Sequence, residues 1–177
     1  PTINDVNKIG TVAKILRVLQ MPDGNLTIII QGKKRFSIDK LISETPFITS
    51  SINELKEISP KKDNKTFQAT IDSIKDLALK IIDENPNIPT EASFAIKNIH
   101  SNSFLVNFVS SNMNISVEEK FKILCIDDLQ KRALRCLKFM DVEFQKLSLK
   151  NDIQSKVRND LDQQQREYYL QQQMKTI

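Results

Sequence analysis

The spacing of apolar residues changes character twice along this chain. From Gly10 to Met21 the run Thr-Val-Ala-Lys-Ile-Leu-Arg-Val-Leu-Gln-Met is rich in β-branched and aliphatic residues and predicts a strand. Met21-Pro22-Asp23-Gly24-Asn25 then supplies turn chemistry: Pro22 presets φ, and Gly24 can take the positive φ of a bulged hairpin. Leu26–Gln31 reads as the partner strand, Gly32 as a bulge or sharp bend, and Phe47 to about Ile58 as a further strand. Apolar groups fall on both faces of these strands, as a small barrel covered on its outside requires.

Ser59-Pro60-Lys61-Lys62-Asp63-Asn64 breaks the pattern, and a period of three to four residues replaces alternation. Phe67, Ile71, Ile74, Leu77 or Ala78, and Ile81 predict a helix of about five turns that stops before Pro86. Thr90 is a candidate N-cap for a short helix through Ile96 and Ile99. A further helix from about Phe104 to Ser111 would bury Leu105, Phe108 and Val109. Ser116-Val117-Glu118-Glu119 is a capping box for a helix burying Phe121, Ile123, Leu124 and Cys125.

After Leu129 there is neither glycine nor proline. Leu129, Ala133, Leu137, Met140, Phe144 and Leu147 follow near-heptad spacing and predict a packed helical seam. The pattern then slips to Ile153, Val157 and Leu161, amid two glutamine triplets. A continuous helix to Ile177 would be roughly 73 Å long, its first half packed and its second half leaving the globule.

Composition narrows the chemistry. Three scattered glycines in 177 residues exclude a phosphate-cradling loop within the chain. Cys125 and Cys136, with no Cys-x-x-Cys, imply neither a disulfide framework nor a zinc site, and read as reduced thiols. No apolar run reaches the length of a bilayer span, and no charged-then-apolar signal sequence opens the chain. The net charge of +4 arises wholly in residues 129–177, since residues 1–128 carry 16 basic and 16 acidic side chains. That mild bias does not read as a nucleic-acid arm. Lys33-Lys34-Arg35 reads equally as a charged β-bend or as a basic patch beside Phe36, and nucleic acid is a partner without specific support. His100, the single histidine, lies between two predicted helices with no nucleophile at catalytic spacing, so it reads as a loop residue rather than a general base.

The segment 151–177 is too long for a loop and too sparsely apolar to bury itself, yet Tyr168, Tyr169, Leu170, Met174 and Ile177 gather at its end. Two readings stand: a coiled-coil seam or a helix that continues into a partner domain, and an exposed amphipathic surface that grips other chains.

Particular residues carry a resemblance. Gln165-Arg166-Glu167-Tyr168-Tyr169-Leu170-Gln171-Gln172-Gln173-Met174-Lys175-Thr176-Ile177 resembles the segment joining the N-terminal region of Lon, the ATP-dependent serine protease family, to its ATPase module. Gly10-Thr11-Val12-Ala13, Met21-Pro22-Asp23-Gly24 and Gln31-Gly32-Lys33-Lys34-Arg35-Phe36 are similar, in order and separation, to the second part of the Lon substrate-binding domain. The resemblance implies an α+β fold: a partial β-rich, PUA-like N-subdomain over residues 1–60, a helical bundle over 61–150, and an extension of the long helix over 151–177 towards an ATPase module. It also implies that the first strands of the family's β-subdomain are absent from residues 1–60.

The implied function is substrate recognition and assembly for a cytoplasmic, homohexameric protease that degrades misfolded and regulatory proteins, with no catalysis by this chain. ATP and magnesium would belong to the parent enzyme, and no cofactor or metal to this segment. The expected partners are unfolded or damaged proteins and further copies of the chain, not a membrane. Substrate contact is expected at Tyr168, Tyr169 and Met174, and helix packing at Leu170 and Ile177. The alternative of another class is a non-proteolytic helical scaffold or nucleic-acid-binding adaptor sharing the domain.

Overall fold

The computed structural model describes residues 1–176. The chain is α+β, three antiparallel strands followed by five helices. It forms two compact units, one of residues 1–64 with 116–132 and the other of 65–115 with 133–177.

In the first unit, β1 (Ile9–Gln20), β2 (Leu26–Ser43) and β3 (Thr49–Glu54) pair in the order β1-β2-β3. The β1–β2 turn is the one its residues dictate. Gly24 takes φ +87°, its N–H donates to Met21 O at 3.0 Å, and the Asn25 N–H donates to the Asp23 carboxylate at 3.0 Å. That bond and a second from the Asn25 side chain hold the Asp23 carboxyl below its ordinary value. At Gly32 the expected bulge is present: Val12 pairs with Lys34 and Ala13 with Gly32, leaving Lys33 as the extra residue. Three further register shifts follow along the sheet. Gly10 pairs directly with Phe36, and a Cβ at residue 10 would stand 2.8 Å from the ring. A larger residue there would force the Phe36 ring lying over it to move.

β2 is longer than the segment Leu26–Gln31 expected from sequence, because it runs on past its bulge to Ser43, while β3 is shorter than expected. Among the described residues the sheet stays open, with β1 and β3 as its edges. The remainder of this unit is α4 (Val117–Leu124) and the first turn of the last helix. Ser116 caps α4, accepting the Glu119 N–H at 3.2 Å as the capping box predicts.

The second unit is helical: α1 (Lys65–Glu84), α2 (Ala92–Asn98), α3 (Asn102–Asn112) and most of α5 (Leu129–Lys175). Helix α1 buries Phe67, Ile71, Ile74, Ala78 and Ile81, so Ala78 rather than Leu77 takes the ambiguous position. Thr90 does not cap α2. Its carbonyl closes a turn with Ser93, and the helix begins after Glu91. Ser101, which sequence reasoning passed over, caps α3 by accepting the Phe104 N–H. Val106 is buried in place of Phe108, whose ring stacks on Phe104 with centroids 5.9 Å apart. On α5 the buried stripe is Ala133, Cys136 and Met140, while Leu137 and Phe144 are only half-buried. Leu129, Ala133 and Met140 of the near-heptad line are thus buried as expected, and Cys136 joins them in place of Leu137 because the packed face of a helix is wider than a single heptad seam.

Candidate functional site

Helix α5 is 47 residues long, about 70 Å at 1.5 Å per residue. Near its middle it is tied to the end of α1. The Ser148 hydroxyl donates to a Glu84 carboxylate oxygen at 2.9 Å, and the Asn151 side-chain amide donates to Glu84 O at 3.0 Å. From Asp152 to Thr176 every described residue is exposed. With little apolar burial to hold it, this half of the helix depends on residues of good helix propensity and an interior free of glycine and proline.

The residues expected at the tip lie on this bare segment. Tyr168, Tyr169, Leu170 and Met174 are 59%, 66%, 59% and 77% exposed. The two tyrosine rings meet edge to face with centroids 6.1 Å apart, a geometry that favours both. At 100° per residue, Met174 lies about 40° from Leu170 and about 120° from Tyr168. The helix thus joins Tyr168 with Tyr169 and sets Met174 beside Leu170, on a different side from Tyr168. Ile177 lies outside the described residues. Between Glu167 and Lys175 no side chain is charged at neutral pH, so the tip offers aromatic, thioether and amide groups. Such groups contact apolar segments of another chain with little demand on geometry.

A second exposed apolar surface lies on the β1–β2 hairpin, where Ile15, Leu16, Val18, Ile28, Ile29 and Ile30 are all open on both faces of the ribbon. Phe94 and Phe104 add exposed aromatics on the helical unit.

The basic run on β2 is dismantled as a patch. Arg35 turns inward, its side chain 10% exposed, where Nη1 donates to Leu124 O at 2.8 Å and lies 2.9 Å from Asp127 Oδ1. Lys34 pairs with Glu54 at 3.1 Å. Arg132, unremarked in the sequence, is 1% exposed: Nε and Nη2 donate to Ile126 O, and Nη1 to Glu57 at 2.8 Å. The two arginines grip the loop between α4 and α5. Backbone bonds tie the same loop to Ile58, from Ile58 N–H to Asp127 O and from Leu129 N–H to Ile58 O.

His100 is exposed in a connecting segment. Cys136 is fully buried, and desolvation raises its thiol from 9.0 to about 11. Cys125 is half-buried rather than a core residue. Burial raises its pKa, with Arg35 lowering it and Asp127 raising it further. Among the described residues no cluster of His, Cys, Asp and Glu could hold a metal ion, and no helix is long and apolar enough to cross a membrane. The glycines do not fit a nucleotide: Gly10 and Gly32 lie within strands and Gly24 in the hairpin turn. No step is therefore assigned to ATP or magnesium in this chain.

Comparison with known proteins places these features. Residues 1–142 match the family model of the ATP-dependent protease La (LON) substrate-binding domain. The chain is 64% identical over its whole length to a Lon protease of Flavobacterium johnsoniae and 46% identical to one of Cytophaga hutchinsonii. It spans 22% of the length of each. The solved N-terminal domain of Mycobacterium avium complex Lon protease has the same fold, with TM-score 0.65 and 18% identity over 76% of this chain and 70% of that one.

Proposed function

The chain belongs to the family of Lon substrate-binding domains, and on that premise we propose that it recognises unfolded or damaged proteins for an ATP-dependent protease, with the tip of α5 as its contact surface. The observation that carries this reading is the bare half of α5. A helix that packs on nothing from Asp152 onward nonetheless keeps Tyr168, Tyr169 and Met174 at its end, where a solubilising linker has no use for them. Unfolded segments present scattered aliphatic and aromatic groups, and a pliable methionine beside amphipathic tyrosines meets them without a shaped pocket. Leu170 and Ile177 serve helix packing in the assembled enzyme. Residues 151–177 lead towards the ATPase module, and the whole acts in the cytoplasm as a homohexamer. This chain supplies recognition and assembly, while ATP hydrolysis and peptide-bond cleavage belong to the rest of the enzyme.

The test is the full-length enzyme carrying Tyr168→Ser, Tyr169→Ser and Met174→Ser. Degradation of an unfolded protein should fall while basal ATPase and cleavage of a short peptide persist. Unchanged degradation would reduce the tip to a linker.

A further inference from the structure

The excess positive charge of the chain lies wholly on the first half of α5: residues 129–151 carry six Lys/Arg and two Asp/Glu, and residues 152–177 carry four of each. Three of these cations share one face. Arg135, Lys138, Val142, Gln145, Lys146 and Leu149 are all exposed, and at 100° per residue they lie within an arc of about 100° over about 21 Å of helix. The buried Cys136 and Met140 lie on the opposite side, about 120° and 160° from Val142. The only carboxylates between Arg135 and Leu149 are Asp141 and Glu143, each about 100° from Val142. The Arg135 guanidinium sits over the Phe139 ring, 5.5 Å from its centroid. Among the described residues no ion pair engages Lys138 or Lys146. Val142 and Leu149, within the same arc, are 45% and 60% exposed.

We infer that this face docks an acidic amphipathic helix of a partner protein, one with apolar residues a heptad apart and Asp or Glu on both flanks. The charge of the occupant follows from the face. Three cations with no carboxylate among them attract an acidic segment and repel a basic one, and the same face of a second copy would bring like charges together. Its conformation follows from the spacing. Val142 and Leu149 stand seven residues apart, the interval at which a partner helix returns side chains to the same line. The aliphatic pair lies inside the basic arc, where a phosphate backbone would leave it unused, and two aliphatic side chains are too few to enter a lipid surface. A face of about four turns is small for a stable interface, so the contact is transient and sensitive to salt. The inference does not rest on the tip of α5, since Leu149 lies about 29 Å along the helix from Tyr168.

The probe is a fluorescein-labelled, alanine-rich helical peptide of three heptads, with leucines seven apart and glutamates on both flanks; its counterpart carries lysine at every glutamate. In anisotropy titrations with the 177-residue chain, the acidic probe should bind several-fold more tightly than the basic one, and raised salt should weaken it. Lys138→Glu with Lys146→Glu should reverse the preference. Lys33→Glu with Lys40→Glu, exposed on β2 and equal in charge change, should leave most of it. Val142→Gln with Leu149→Gln should weaken the acidic probe several-fold while its salt dependence stays the same. All six positions are exposed, and circular dichroism checks that the helices are kept. If the α5 charge reversal loses helix, Lys138→Gln with Lys146→Gln should still abolish the preference. Equal losses in the β2 and α5 charge variants would overturn the proposal, as would no loss in the Val142 and Leu149 variant. So would tighter binding of a DNA oligonucleotide or a phosphatidylglycerol vesicle through the same residues. Self-association that the α5 charge reversal abolishes would give the face to a second copy and overturn it too. Substrate capture at the tip is read separately, by degradation in the full-length enzyme, so failure of one claim leaves the other standing.

Discussion

Arg132 Nη1 lies 2.8 Å from the Glu57 carboxylate, across 75 residues of chain, with the arginine 1% exposed. The same guanidinium donates twice to Ile126 O, so the Glu57 carboxylate and the Ile126 carbonyl both help hold a full positive charge inside the protein. Such a group is costly to bury and more costly to leave half-paired.

Arg132→Ala should therefore cost on the order of 3–5 kcal/mol, because it removes both bonds to the Ile126 carbonyl and the ion pair to Glu57. Arg132→Met, which keeps the volume and removes the charge, should cost less. Urea midpoints of the two variants decide this, and equal losses would mean that the packing of the side chain matters more than its ion pair.

On α5, Met140 is buried and Phe144 only half-buried. Met140→Ala should cost about 2–5 kcal/mol, and Phe144→Ala should fall below the ~3 kcal/mol of a fully buried ring. Denaturant unfolding of both variants checks the order. A larger loss at Phe144 would mean that its half-buried ring carries more of the packing than Met140 does.

Gly24 has φ +87° and nothing within 4 Å of where a Cβ would stand. Gly24→Ala should thus destabilise by about 1 kcal/mol through backbone strain alone, and Gly24→Asn by less. Faster amide exchange along the β1–β2 ladder is the expected readout. No change in either variant would show that the turn relaxes freely.

Cys136 should resist alkylation in the native protein while the half-buried Cys125 reacts. The folded pKa of Cys136, about 11, stands above the ordinary 9.0, so the unfolded chain releases its proton first as pH rises. Stability from this group is complete below pH 9 and drains away through about pH 11. Cys136→Ala should flatten that alkaline loss in melts recorded across the range.

Asp23 works in the opposite direction. Its carboxyl is lowered by the two bonds from Asn25, so its contribution is present above the ordinary carboxylate pKa and lost as pH falls through the lowered value. Acid should loosen the hairpin turn, and Asp23→Asn should weaken that dependence in the amide shifts of residues 21–25.

Local chemistry was legible wherever it sufficed. Met21-Pro22-Asp23-Gly24-Asn25 is a turn in any context, the bulge needed Gly32, and Ser116 with Glu119 marked the start of α4. The period of α1 placed its buried face, and the freedom from glycine and proline after Leu129 allowed one long helix. The exposure of Tyr168, Tyr169, Leu170 and Met174 was legible for the same reason: too few apolar residues surround them to bury that part of the helix.

What the sequence left undetermined are the positions where one residue's environment is supplied by residues far along the chain. Lys33, Lys34 and Arg35 are indistinguishable as a basic run, and only the bulge at Lys33, which shifts the alternation by one, turns Arg35 towards Leu124 and Asp127. Arg132 reads as one more cation on a basic helix until Glu57 and Ile126 O close around it. Phe108 and Val106, or Leu137 and Cys136, exchange places because burial follows the rotation of a helix against its neighbours. Propensity, turn chemistry and capping act within a few residues and can be read along the chain. Ion pairing and burial require a partner whose position exists only once the chain has folded.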